Sequence, residues 1–132
     1  MSVAEHFADL AWTETTVQVE VKGQGKVTWP RFLGASPDGK TALELIGSPD
    51  NIRGLTLLGE MSAADLDATK RNGAYAAVCL AIVCPNWAGR DAWLTHEMKR
   101  LRTTKQTIIQ KSGWCIGLKF EAERLTFKAI KA

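Results

Sequence analysis

Two histidines and three cysteines are all that this chain of 132 residues holds of the side chains most often used as nucleophiles, general bases and transition-metal ligands. Their placement removes most of the chemistry they could offer. His96 opens the run His96-Glu97-Met98-Lys99-Arg100, which starts like a zinc-protease box, but Arg100 stands where the second imidazole belongs. Cys79 and Cys84 are five residues apart, about 140° around a helix axis, so neither a bridge nor a shared metal is expected between them. Both lie in the most apolar segment, where a free thiol behaves as a small hydrophobe. An odd cysteine count without paired spacing points to a reducing compartment.

Other absences narrow the field further. Gly23-Gln24-Gly25-Lys26 is the nearest approach to a phosphate loop, yet it lacks the Lys-Ser/Thr ending and leads into a strand, as a hairpin turn does. Asp65/Asp67 and Glu121/Glu123 are the closest carboxylate pairs, and they serve a helix start and a turn tip. No catalytic residue, metal ligand or cofactor site is therefore assigned, and an enzyme is not expected. Met1-Ser2-Val3-Ala4-Glu5-His6 has no basic start followed by an apolar stretch, and Gly73–Pro85 is about half the length of a membrane span. A soluble cytoplasmic protein is the expectation. There is no repeat, low-complexity stretch or linker, so residues 1–132 read as a single domain.

What is present is the pattern of an α+β fold, with 45% hydrophobic and 23% charged residues. Val3, Phe7 and Leu10 share one face of a short helix over residues 3–11. Thr16–Lys22 alternates Val17, Val19 and Val21 with polar residues, and Lys26–Trp29 returns from the Gly23–Gly25 turn, with Pro30 marking its end or an edge. Asp38-Gly39 and the Gly47–Asn51 segment are turns around the strands Thr41–Ile46 and Arg53–Gly59.

The longest element is a helix from Ser62 to Cys84. Ser62 suits its N-cap, Met61 can staple onto Leu66, and Asp65 favours the positive end of the helix dipole. Asp67, Lys70, Arg71 and Asn72 are left for water, while Ala74–Val83 has no polar face and calls for cover all round. Asp91 suits the cap of a second helix to about Arg102, with Leu94, Met98 and Leu101 inward and His96, Lys99, Arg100 and Thr103 outward. Lys105–Gln110, Trp114–Phe120 and Arg124–Ile130 complete the chain as strands. The order is α-β-β-β-β-α-α-β-β-β: an antiparallel sheet of six or seven strands around a central buried helix. The succession of the apolar helix, Pro85-Asn86-Trp87, Trp93-Leu94 and three strands resembles small bacterial and phage-type domains, a resemblance that implies no activity.

Charge is unevenly divided. Residues 1–69 carry five Lys/Arg against ten Asp/Glu, and residues 70–132 carry twelve against four. The halves therefore hold −5 and +8, a hint of an interaction surface. Arg90, His96, Lys99, Arg100, Arg102 and Lys105 form the candidate partner surface. Trp12 and Trp29, at the ends of N-terminal elements, are candidate aromatic anchors. The leading expectation is a non-enzymatic protein that binds a macromolecular partner, most simply another protein, as an inhibitor, immunity protein, chaperone or adaptor does. The alternative is a nucleic-acid-associated protein using the basic segment 90–111. No membrane partner is expected, and the oligomeric state is open.

Overall fold

The computed structural model describes residues 6–48 and 50–132. Seven strands build one antiparallel sheet: β1 (Ala11–Val21), β2 (Gly25–Ala35), β3 (Thr41–Ser48), β4 (Asn51–Glu60), β5 (Gln106–Lys111), β6 (Trp114–Glu121) and β7 (Arg124–Lys131). Two helices, α1 (Leu66–Val83) and α2 (Arg90–Thr104), lie between β4 and β5 in the chain. The spatial order is β1-β2-β3-β4-β7-β6-β5, so two meanders meet where β7 pairs with β4. The α+β class and antiparallel sheet follow the alternation in the sequence. Among the described residues, no helix is long and apolar enough to cross a membrane.

Register explains the core. Leu43, Leu57, Phe127 and Leu118 stand side by side across four strands, and Leu45, Leu55, Ala129 and Ile116 form the adjacent row. All eight are buried, and they join Tyr75, Cys79, Leu80 and Val83 of α1 and Leu94 and Leu101 of α2 in one cluster. Burying a Leu or Phe side chain contributes about 1.5–3 kcal/mol, so these rows dominate the favourable side of folding. The opposite face of the sheet carries Leu58, Ile108 and Ile130 exposed to solvent.

Several expectations need correction. The helix expected over residues 3–11 falls partly outside the described residues. Of the rest, His6 and Phe7 make only a short 3₁₀ turn, and β1 already begins at Ala11. Phe7 is fully buried against Tyr75 and Trp12, so tertiary packing rather than helical periodicity holds it. β2 does not stop at Pro30 but runs through it to Ala35. Pairing with β3 covers only Arg31–Ala35, so Pro30 stands where β2 is paired on one side alone, which a residue without an N–H tolerates. Beyond it, β1 and β2 continue to the Gly23–Gly25 turn as a two-stranded arm.

The long helix is also not central. It lies on one face of the sheet, burying Ala68, Asn72, Tyr75, Ala76, Cys79, Leu80 and Val83, while Ala74 is exposed and Ala77, Val78, Ala81 and Ile82 are half-buried. Gly and Ala present so little apolar surface that the outer side needs no second layer. Its N-cap is Asp65, not Ser62: the Asp65 carboxylate accepts from the Ala68 N–H at 3.0 Å, while the Ser62 carbonyl accepts from Asp65 N–H and the Thr69 hydroxyl. Leu66 is 61% exposed, so no staple forms with Met61. α2 begins at Arg90, with Gly89 as N-cap and Asp91 in the first turn without a capping bond.

A candidate partner-binding groove between the helices

α1 and α2 touch the sheet more than each other, and the gap between them is an open groove of about 940 Å³. One wall is a stripe of small residues on α1, Thr69, Gly73 and Ala77, four apart and so on one side of the helix. At Gly73 an added Cβ would meet nothing within 4 Å, which shows how far the wall stands from the opposite side. The other wall is the α2 stripe Asp91, Thr95, Met98 and Arg102, and the floor is Leu94, Leu101, Phe120 and Leu125. Lys99 and Arg102 on α2 and Glu123 in the β6–β7 turn add charge at the rim. The groove is thus apolar below and charged above, as sites for amphipathic segments are.

The residues expected to form a basic surface divide into two groups. Lys99 and Arg102 face the groove, and Lys105, the left-handed C-cap of α2, has its ammonium 6.0 Å from the centre of the Phe120 ring. His96 is exposed on α2. Arg90 and Arg100 serve the fold instead. Arg90 donates to the carbonyls of Pro85 and Trp87, tying the α1–α2 turn together, and Arg100 pairs with the buried Glu97 at 3.0 Å. Trp12 is half-buried: it donates to the Phe7 carbonyl at 3.4 Å and lies flat enough on Gly34 that a Cβ there would be 3.0 Å from the indole. Trp29 is on the sheet face away from the helices, with the Arg53 guanidinium 5.5 Å above its ring. Arg53 is the extra residue of a bulge in β4, where Gly47 and Ile52 resume the register beyond Ile46 and Gly54.

A second polar constellation lies on another side of α1 near its start, and sequence reasoning missed it by leaving Arg71 and Asn72 to water. Asn72 is fully buried. Its amide donates to the carbonyls of Lys40 and Glu60 at 3.1 and 2.9 Å and accepts from the Thr41 hydroxyl at 2.5 Å. Arg71 donates to the same hydroxyl and, from Nη2, to both Asp38 oxygens at 3.2 and 3.1 Å. The Ser36 hydroxyl, the Lys40 backbone N–H and Arg71 hold the Asp38 carboxyl down to about 2. Lys40 bridges to Asp65, which raises the ammonium and lowers the carboxyl from their ordinary values. Each partner here closes the β2–β3 turn onto the start of α1, so the cluster reads as a clamp. Gly59 was the available clue, since only a residue without a side chain leaves room for Asn72 against β4.

The cysteines are apart from all of this. Cys79 and Cys84 are buried and Cys115 is half-buried, all as free thiols, and burial pushes the Cys79 thiol well above its ordinary range. Among the described residues, no three His, Cys, Asp or Glu side chains come together in a way that could hold a metal ion. Comparison with protein-family models, with curated proteins and with solved structures yields no match.

Proposed function

We propose that this protein is a non-enzymatic binding module that seats an amphipathic segment of a protein partner between α1 and α2. The observation that carries the reading is the groove itself, with Gly73, Ala77, Leu94 and Met98 giving apolar depth and Lys99, Arg102, Asp91 and Glu123 giving charge of both signs around it. A helix or strand with apolar residues on one side and charged residues of both signs flanking them fits that arrangement. The free cysteines suit work in a reducing, cytoplasmic setting. The roles open to such a module are those of an immunity protein, inhibitor, chaperone or adaptor.

The test is to fill the groove at one wall and place a charge in it at the other. Ala77→Trp and Met98→Asp are compared with the unaltered protein as baits for partners from the native host, with helix content and thermal unfolding as folding controls. Partners that bind the unaltered protein, release on both substitutions and contain an amphipathic segment support the reading. Partners indifferent to both substitutions end it. The second reading, nucleic-acid binding, draws on the exposed run Lys99, Arg102 and Lys105. It requires retention on DNA or RNA that falls steeply with salt and is lost in Lys99→Glu plus Arg102→Glu.

A further inference from the structure

The strand order keeps the two chain halves apart: β1–β4 come from the acidic half, and β5–β7 with α2 from the basic half. The sheet therefore ends in two open edges of opposite character. On the outer side of β1, no other strand pairs among the described residues, and the same is true of β5. Sheets guard such edges with proline, lysine, extreme shortness or a covering element. β1 is eleven residues long and holds neither proline nor lysine, its charges being Glu14 and Glu20. β5 is Gln-Thr-Ile-Ile-Gln-Lys, flanked by Lys105 and ended by Lys111, with Ile108 62% exposed at its middle.

The two edges match in spacing and in face. Glu14 and Glu20 are six residues apart, as are Lys105 and Lys111. Glu14 pairs with the core-packed Phe32, and Lys111 pairs with the buried Trp114 and lies over Trp87, so both sets point to the helix-bearing side. Val17 and Ile108, halfway between the charges, both point to the open side. An antiparallel sheet of seven strands has its first and last running the same way, so a second copy set beside the first in the same orientation brings β1 parallel to β5. One register then places Val17 by Ile108 and Glu20 by Lys111, and brings Glu14 level with Lys105, the C-cap of α2 just ahead of β5. Pairing β1 with another β1 about Val17 sets Glu14 against Glu20, and pairing β5 with β5 in the same way sets Lys105 against Lys111. Like charges directly opposed disfavour both.

We infer that this chain associates with itself head to tail, β1 of one copy adding to β5 of the next in this register, to form a ring or an open filament. An interface of two different surfaces leaves one of each free after every addition, so growth continues until rotation closes it. This inference uses the sheet edges and not the groove, so it stands or falls separately from the proposed function.

Charge reversal tests it, because all four charged residues lie on the surface. The unaltered chain is compared by sedimentation and light scattering with Glu14→Lys plus Glu20→Lys, with Lys105→Glu plus Lys111→Glu, and with an equimolar mixture of the two. Thermal unfolding serves as the folding control. The unaltered chain is expected to exceed the mass of a dimer as concentration rises at low salt, and to dissociate as salt is added. Each reversed form is expected to need about tenfold or more higher concentration to associate, and the mixture to recover full assembly because its edges again carry opposite charge. A chain that stays monomeric at low salt and about 100 μM, a concentration at which weak interfaces are populated, overturns the inference. So does a dimer that reversal does not weaken, or a mixture that fails to recover.

Discussion

Replacing Gly59 with alanine separates two opposing effects on a single methyl group. Gly59 is a strand residue with no positive φ, so backbone propensity alone favours alanine by about 0.5–1 kcal/mol. Packing opposes it. The new Cβ would lie 2.5 Å from Cγ, 2.7 Å from Cβ and 2.8 Å from Nδ2 of Asn72. Because Cβ of Asn72 is among the clashing atoms, a change of rotamer cannot relieve the overlap, and α1 must withdraw from β4. Withdrawal breaks the bonds of the fully buried Asn72 to Thr41, Lys40 and Glu60. Overpacking costs about 1–3 kcal/mol and each buried polar group left alone about as much, so a net loss of about 2–4 kcal/mol is expected. For a chain of this length that lowers Tm by on the order of 10 °C. The assay is urea and thermal denaturation of Gly59→Ala, Asn72→Ala and the double variant. In the double variant the clashes with Cγ and Nδ2 are gone while that with Cβ of residue 72 remains, so the losses should be less than additive, a coupling of about 1 kcal/mol. A Gly59→Ala protein as stable as the unaltered one, or strictly additive losses, would refute the reasoning.

Three further outcomes follow from neighbouring features. Gly73→Ala, mid-helix with open space where its Cβ would go, should stabilise by about 0.5–1 kcal/mol in the same denaturation assay. Asp38, held down to about 2 from an ordinary 3.8, favours the folded state above pH 4 and loses that contribution as pH falls from about 4 toward 2; Asp38→Asn should flatten the acid limb of a pH-stability profile. In thiol labelling read by mass spectrometry, half-buried Cys115 should react in the folded state, and buried Cys79 only as fast as the protein opens.

How far these features were legible depends on whether their causes are local. The strand alternation at Val17–Val21, Leu43–Leu45 and Ile116–Phe120 is a local pattern, and the strands stand where it points. The start of α1 was harder. Ser62 and Asp65 are both good caps, and the lysine at 40, twenty-five residues upstream, helps hold Asp65 in the capping position. Asn72 sits on a helix among polar neighbours and reads as solvated. Its burial depends on Gly59 and Thr41, which pattern alone does not connect to it. Leu94 and Met98 read from the sequence as an inward stripe and Ala74–Val83 as a covered segment, so no groove was expected between the helices. The gap between them depends on how far apart the sheet seats the two helices.

The sequence by itself determined the α+β class, most of the elements, the inward residues of β3, β4, β6 and β7 and the −5/+8 division of charge, because propensity, periodicity and charge are carried by near neighbours. Only the tertiary structure decided that β7 joins β4. That pairing puts β1 and β5 on the outside, sets acidic against basic edge and lays both helices on one face. Strand partnership is a choice among distant segments of similar apolar pattern, settled by how all seven share one core, and no stretch of chain contains that information alone.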